Sequence, residues 1–100
     1  MLQRTEQWRL NLMQTYDIIR GGWCQGFSVS PDGGVCIGYA MRQTAGASND
    51  AYREQIDHVV SFLRLHVDPK EGSEITLVRW NNAPGRTKEE VLAALEGAAS

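Results

Sequence analysis

The stretch ITLVRW, residues 75–80, decides the fold class of this 100-residue chain. Its β-branched and aromatic residues favour a strand by propensity, yet six residues also make one and a half helical turns. We read it as a short helix, which makes the chain mainly α. Downstream, Asn81-Asn82-Ala83-Pro84-Gly85 is turn chemistry, and Thr87-Lys88-Glu89-Glu90 has the spacing of a capping box. In that arrangement the Thr87 hydroxyl accepts the Glu90 N–H and the Glu90 side chain accepts the Thr87 N–H. A last helix is expected to follow, with Val91, Leu92, Leu95 and Ala98 along one side.

Upstream, Pro69 and Gly72 mark a polar loop. Before it, Ser48-Asn49-Asp50 offers N-caps for a long helix running to about His66, with Ile56, Val59, Val60 and Leu63 on its apolar face. A shorter helix is expected over Ile37–Ala45, with Met41 inward and an end near Gly46. Ser30-Pro31-Asp32-Gly33-Gly34 is strong turn chemistry. Its flanks, Phe27–Val29 and Val35–Ile37, predict a small β-hairpin. From Gln3 to Arg20, Trp8, Leu12, Tyr16 and Ile19 recur at helical spacing, flanked by Leu10, Met13 and Ile18. Gly21-Gly22 is expected to end that first helix in a left-handed cap. The expected architecture is mainly α: a compact four- to five-helix single domain over residues 1–100, with a small β-hairpin between helix 1 and helix 2.

Composition narrows the function. A hundred residues suffice for one core without staples, and 42% hydrophobic with 22% charged residues is near the globular average. Ten basic residues are outnumbered by 12 acidic ones, for a net charge of −2. Phosphate neutralisation drives nucleic-acid affinity, so this balance argues against a DNA or RNA partner. MLQRTEQWRLNLM has no apolar signal region, and no stretch approaches a membrane span. We expect a soluble cytoplasmic protein with no membrane partner.

The residues that could carry chemistry fall short of a catalytic or metal constellation. Cys24 and Cys36 are 11 residues apart and His58 and His66 seven, counting those between. Structural zinc sites pair their ligands more closely than this, so no metal site is expected. In a reducing compartment the two cysteines read as small buried thiols rather than a disulfide. His58 reads as a helix-face residue beside Glu54. No phosphate loop, dinucleotide fingerprint or HExxH occurs, so no cofactor and no catalytic residue is expected. Arg86 and Lys88 at a helix start resemble an anion site. The capping box, however, uses those donors, and Glu89 and Glu90 would repel a phosphate.

Trp23 and Trp80 remain, each beside an amide side chain, Gln25 and Asn81. Such a pair can build a recognition pocket, or it can plug the core while each indole N–H finds one partner. We group Trp23, Gln25, Cys36, Trp80, Asn81, Asn82 and Arg86 as a candidate cluster, binding or structural. The same residues carry a resemblance. Gly22-Trp23-x-Gln25-Gly26, Gly33-x-x-Cys36, Gly38-x-Ala40 and Trp80-Asn81-x-x-x-Gly85-Arg86-Thr87-x-x-Glu90-Val91 resemble a small uncharacterised domain family of actinobacteria and their phages. That pattern prefers an aspartate where this chain has Asn82. The resemblance implies an origin and a fold, and no activity.

The leading expectation is a small non-enzymatic interaction protein, phage-encoded or phage-derived, acting in the bacterial cytoplasm on a host or self protein partner, a homodimer included. The alternative is a small-ligand binder or enzyme using a pocket around Trp23 and Trp80, and the third a nucleic-acid-binding regulator.

Overall fold

A computed structural model describes residues 6–100. It contains five helices among the described residues: α1 (Gln7–Gly21), α2 (Ile37–Ala45), α3 (Asn49–Leu63), α4 (Ser73–Asn82) and α5 (Lys88–Ala99). The expected start of helix 1 at Gln3 lies outside the described residues. Leu12, Ile19, Ile37, Met41, Ile56, Val59, Leu77, Val91 and Leu95 from all five helices meet in one core. α1 packs chiefly on α5 and α2, and α3 lies against α5, α2 and α4.

ITLVRW is helical, and the reason is which residues must face inward. Leu77 and Asn81 are the buried residues of α4. They are four apart, one turn of helix. A strand would have put Ile75, Leu77 and Arg79 on one face. Gly72 enters α4 at φ 89°, and the Thr76 hydroxyl donates to its carbonyl at 3.1 Å. Ala83 leaves the helix in an extended conformation (ψ 137°), as the residue before a proline prefers.

The β-hairpin is absent. Val35 makes two isolated bridges, parallel to Trp23 and antiparallel to Val29, and the described residues form no sheet. Pairing stops because Cys36 is already the N-cap of α2 and Ile37 its first residue. The segment read as a second strand is thus consumed by a helix start. The Gly22 cap also differs from expectation: its φ of 165° is extended, not left-handed. What Gly22 and Gly34 provide is close approach. A Cβ on Gly22 would lie 3.3 Å from Gly34 Cα, and one on Gly34 would lie 2.8 Å from the Trp23 carbonyl oxygen.

α3 ends at Leu63 rather than His66. Arg64 adopts φ 55°, its N–H donates to Ser61 O, and Leu65 N–H donates to Val60 O. This is the Schellman arrangement, normally built on glycine. At the other end of the chain the capping box forms as expected. Glu90 N–H donates to the Thr87 hydroxyl at 3.1 Å, and Thr87 N–H to the Glu90 carboxylate at 3.0 Å. That backbone donor holds the Glu90 carboxyl below its ordinary range.

Candidate functional site

The candidate cluster assembles around Asn81, which is fully buried at the C-terminal end of α4. Its side-chain oxygen accepts the Trp23 indole N–H at 2.8 Å and the Ile37 backbone N–H at 3.2 Å. Its amide nitrogen donates to Cys24 O at 3.2 Å and to the Asn82 side-chain oxygen at 3.0 Å. The Gln25 amide donates to the carbonyls of Asn81 (2.9 Å) and Ala83 (2.8 Å), and Gly26 N–H donates to Asn82 Oδ1 at 3.0 Å. These bonds clasp the loop between α1 and α2 to the end of α4. The Asn82 oxygen acts here only as an acceptor, so an aspartate at this position would keep that contact.

Trp80 and Arg86 form a second, adjacent unit. The Arg86 guanidinium stands 4.1 Å over the Trp80 ring, and its Nε donates to Trp80 O at 2.9 Å. A 3.2 Å bond from Arg86 Nη1 to Glu90 ties the turn to the first turn of α5. Cys36 stands apart from both units. Its sulfur caps α2 by accepting Tyr39 N–H at 3.4 Å, and only the next residue, Ile37, touches Asn81. Both cysteines are free, and both are partly exposed rather than buried as expected. No buried side-chain polar atom among the described residues lacks a hydrogen-bond partner. The Trp23–Asn81 amides and indole are therefore directed at the chain itself, not into an open cavity.

An open groove of about 520 Å³ lies instead between α2 and α4, on the Cys36 side. Gly38, Tyr39 and Arg42 line it from α2, and Ile75 and Val78 from α4. Tyr39, Ile75 and Val78 are large apolar side chains left 37–40% exposed. Ser28 also lines the groove, and its loop neighbours Phe27 and Val29 are exposed apolar residues as well. At the groove's α3 side the Arg42 guanidinium lies 4.0 Å over the Tyr52 ring. Burial pushes the Tyr52 hydroxyl well above its ordinary value, and hydrogen bonding to Glu74 adds to the shift. Arg79 and Glu71 form a bidentate pair at 2.6–2.7 Å near the same rim. No group of three His, Cys, Asp or Glu side chains among the described residues could hold a metal ion.

A family model described as a family of unknown function (DUF6197) matches residues 10–100. The chain belongs to that family. The match runs from α1 to the end of α5, so the DUF6197 match takes in both the Asn81 clasp and the α2–α4 groove. No curated protein and no solved structure matches the chain.

Sequence reasoning found the residues of the clasp in this DUF6197 chain but not the groove. A signal for the groove does exist in α4, where Ile75 and Val78 are one turn apart and off the Leu77–Asn81 face. Sequence reasoning also missed a buried polar bridge between α1, α2 and α3. There the Thr15 hydroxyl donates to Gln55 Oε1 at 2.7 Å, and Gln55 Nε2 donates to Thr44 Oγ1 at 2.8 Å and Met41 O at 3.2 Å. Trp8 and His58 stack at 3.5 Å, so His58 joins α3 to α1 rather than standing free on a helix face. No helix of the described residues is long and apolar enough to cross a membrane.

Proposed function

We propose that the chain is a small, non-enzymatic interaction domain that binds a protein partner in the groove between α2 and α4. One observation carries this reading: Tyr39, Ile75 and Val78 converge on a single open groove while the rest of α4 turns Leu77 and Asn81 inward. Contiguous exposed apolar surface on a small soluble domain marks interaction sites. The rim carries Arg42 and Arg79 alongside Glu71 and Glu74. This balance of charge fits an apolar protein segment better than a polyanion. The motif resemblance to an actinobacterial and phage family supports a cytoplasmic setting, with a host protein as the partner.

The ligand-pocket alternative draws less support, because the amides beside Trp23 are already bonded within the chain. The test compares wild type with Val78→Asp, an exposed substitution, for capture of bacterial proteins. Melting temperature is followed for both, and light scattering reports oligomeric state. A protein retained by wild type and lost from the equally stable variant supports the reading. Identical capture by both proteins, or none, overturns it. A dimer abolished by the variant makes the occupant a second copy of this chain instead.

A further inference from the structure

We propose that the partner presents a short linear segment to the α2–α4 groove, apolar anchors followed by one acidic residue, and that Arg42 pairs with the acid. This rests on the function proposed above and names what that groove selects. The groove does not end at its apolar shelf. A second open groove of about 440 Å³ adjoins it, and Arg42, Tyr52 and Glu74 line both. On one side of this junction stand Tyr39, Ile75 and Val78. On the other stand Asn49, Arg53, Asp57 and Ser73. A segment crossing the junction passes from an apolar surface to a polar one, with Arg42 at the change.

Arg42 is held in place while its donors stay unspent. Its guanidinium lies 4.0 Å over the ring of the buried Tyr52. Stacking fixes the plane of a guanidinium and leaves its edge, where paired N–H donors match a carboxylate. Arg86 shows the contrast within the same chain. It stacks on Trp80 at 4.1 Å, but its edge is spent on Trp80 O and on Glu90. Arg79, the other arginine of the groove, is spent on Glu71. Among the described residues the ion-paired arginines are Arg9, Arg79 and Arg86, and the Arg42 side chain makes neither an ion pair nor a hydrogen bond.

The surrounding charges favour a single carboxylate over a phosphate. Asp57, Glu71 and Glu74 line the adjoining groove, so a dianionic phosphate beside Arg42 would be repelled by three groups of its own sign. A monoanionic carboxylate meets less repulsion and still gains the charge-assisted pair. The apolar anchors supply the burial, and the Arg42 pair fixes the direction in which the segment lies.

A displayed library of random short peptides is selected on the full chain and counter-selected on Val78→Asp. The surviving peptides should carry large apolar residues with an Asp or Glu to one side. Synthetic copies should bind Arg42→Gln roughly tenfold more weakly than wild type, as for a lost charge-assisted hydrogen bond. Changing the peptide's acid to its amide should cost wild type the same factor and Arg42→Gln nothing further. That peptide-side change leaves the chain untouched, so it reads the pair even if Arg42→Gln proves unstable. Val78-dependent peptides that lack an acid, or whose acid can be neutralised without loss, overturn the role of Arg42 and leave the groove standing. Absence of any Val78-dependent peptide overturns the linear segment, while capture of bacterial proteins by wild type and Val78→Asp judges the groove separately.

Discussion

The Trp23 indole N–H donates to the Asn81 side-chain oxygen at 2.8 Å, joining two residues 58 positions apart. The same oxygen accepts the first backbone N–H of α2. One buried amide therefore fixes the loop after α1, the start of α2 and the end of α4 relative to one another. An amide suits this place because it both accepts and donates.

Asn81→Ala should destabilise the fold by about 2–4 kcal/mol, since it strands the Trp23 indole donor and the Ile37 N–H together. Trp23→Phe keeps most of the apolar ring and removes one donor, so about 1 kcal/mol is expected. Urea unfolding of both variants checks the order. Equal losses would mean that the ring, not the hydrogen bond, makes the contribution.

Gly34→Ala places a Cβ 2.8 Å from the Trp23 carbonyl oxygen, a backbone atom that cannot rotate away. The loop must separate from the Trp23 strand, at a cost of about 1–3 kcal/mol. Gly21→Ala serves as the control, because nothing lies within 4 Å of its added methyl. A shift in melting temperature for Gly34→Ala no larger than the control's refutes the close-approach argument.

Arg64→Gly should stabilise. Arg64 is the one described non-glycine residue with positive φ, at 55°. The left-handed conformation costs an L-residue about 1–2 kcal/mol, part of which the greater freedom of an unfolded glycine offsets. The expected net gain is about 0.5–1 kcal/mol by chemical denaturation. Destabilisation would show that the Arg64 side chain contributes more than its backbone costs.

Tyr52 makes stability depend on alkaline pH. Its hydroxyl is raised above the ordinary value of 10.0 by burial, then by Glu74, with Arg42 opposing. A raised value in the folded state means that the stabilisation is present below the unfolded-state value and is lost as pH rises through the folded one. Wild type should therefore lose stability above about pH 10 more steeply than Tyr52→Phe. Parallel stability profiles for the two proteins between neutral and strongly alkaline pH would contradict the assignment.

Local chemistry was legible wherever neighbours in sequence decide the outcome. The capping box at Thr87–Glu90, the end of α2 at Gly46 and the Ser48 cap were readable because cap and donor lie within a few residues of each other. ITLVRW is helical although its propensity favours a strand. That choice was settled by burial of Leu77 and Asn81 on one side, which is a tertiary fact.

The failures share a cause. Val35 has the sequence signature of a strand residue but makes only two isolated bridges, because its neighbour Cys36 caps a helix and no hairpin can extend. Alternation within a few residues cannot show that the chain turns into a helix against Asn81. Of the candidate cluster, Trp23, Gln25, Asn81 and Asn82 are joined by hydrogen bonds around the end of α4, while Cys36 lines the α2–α4 groove.

The sequence by itself determined that α1, α2, α3 and α5 form, together with the Ser48 cap, the Gly46 stop and the Thr87–Glu90 capping box. Those depend on propensity, periodicity and capping bonds that span at most a turn or two. Only the tertiary structure decided that the clasp's polar atoms are satisfied within the chain, and that Tyr39, Ile75 and Val78 are left outside the core. Satisfaction and exposure are properties of what packs against a residue, and in this chain the packing partners lie tens of residues away.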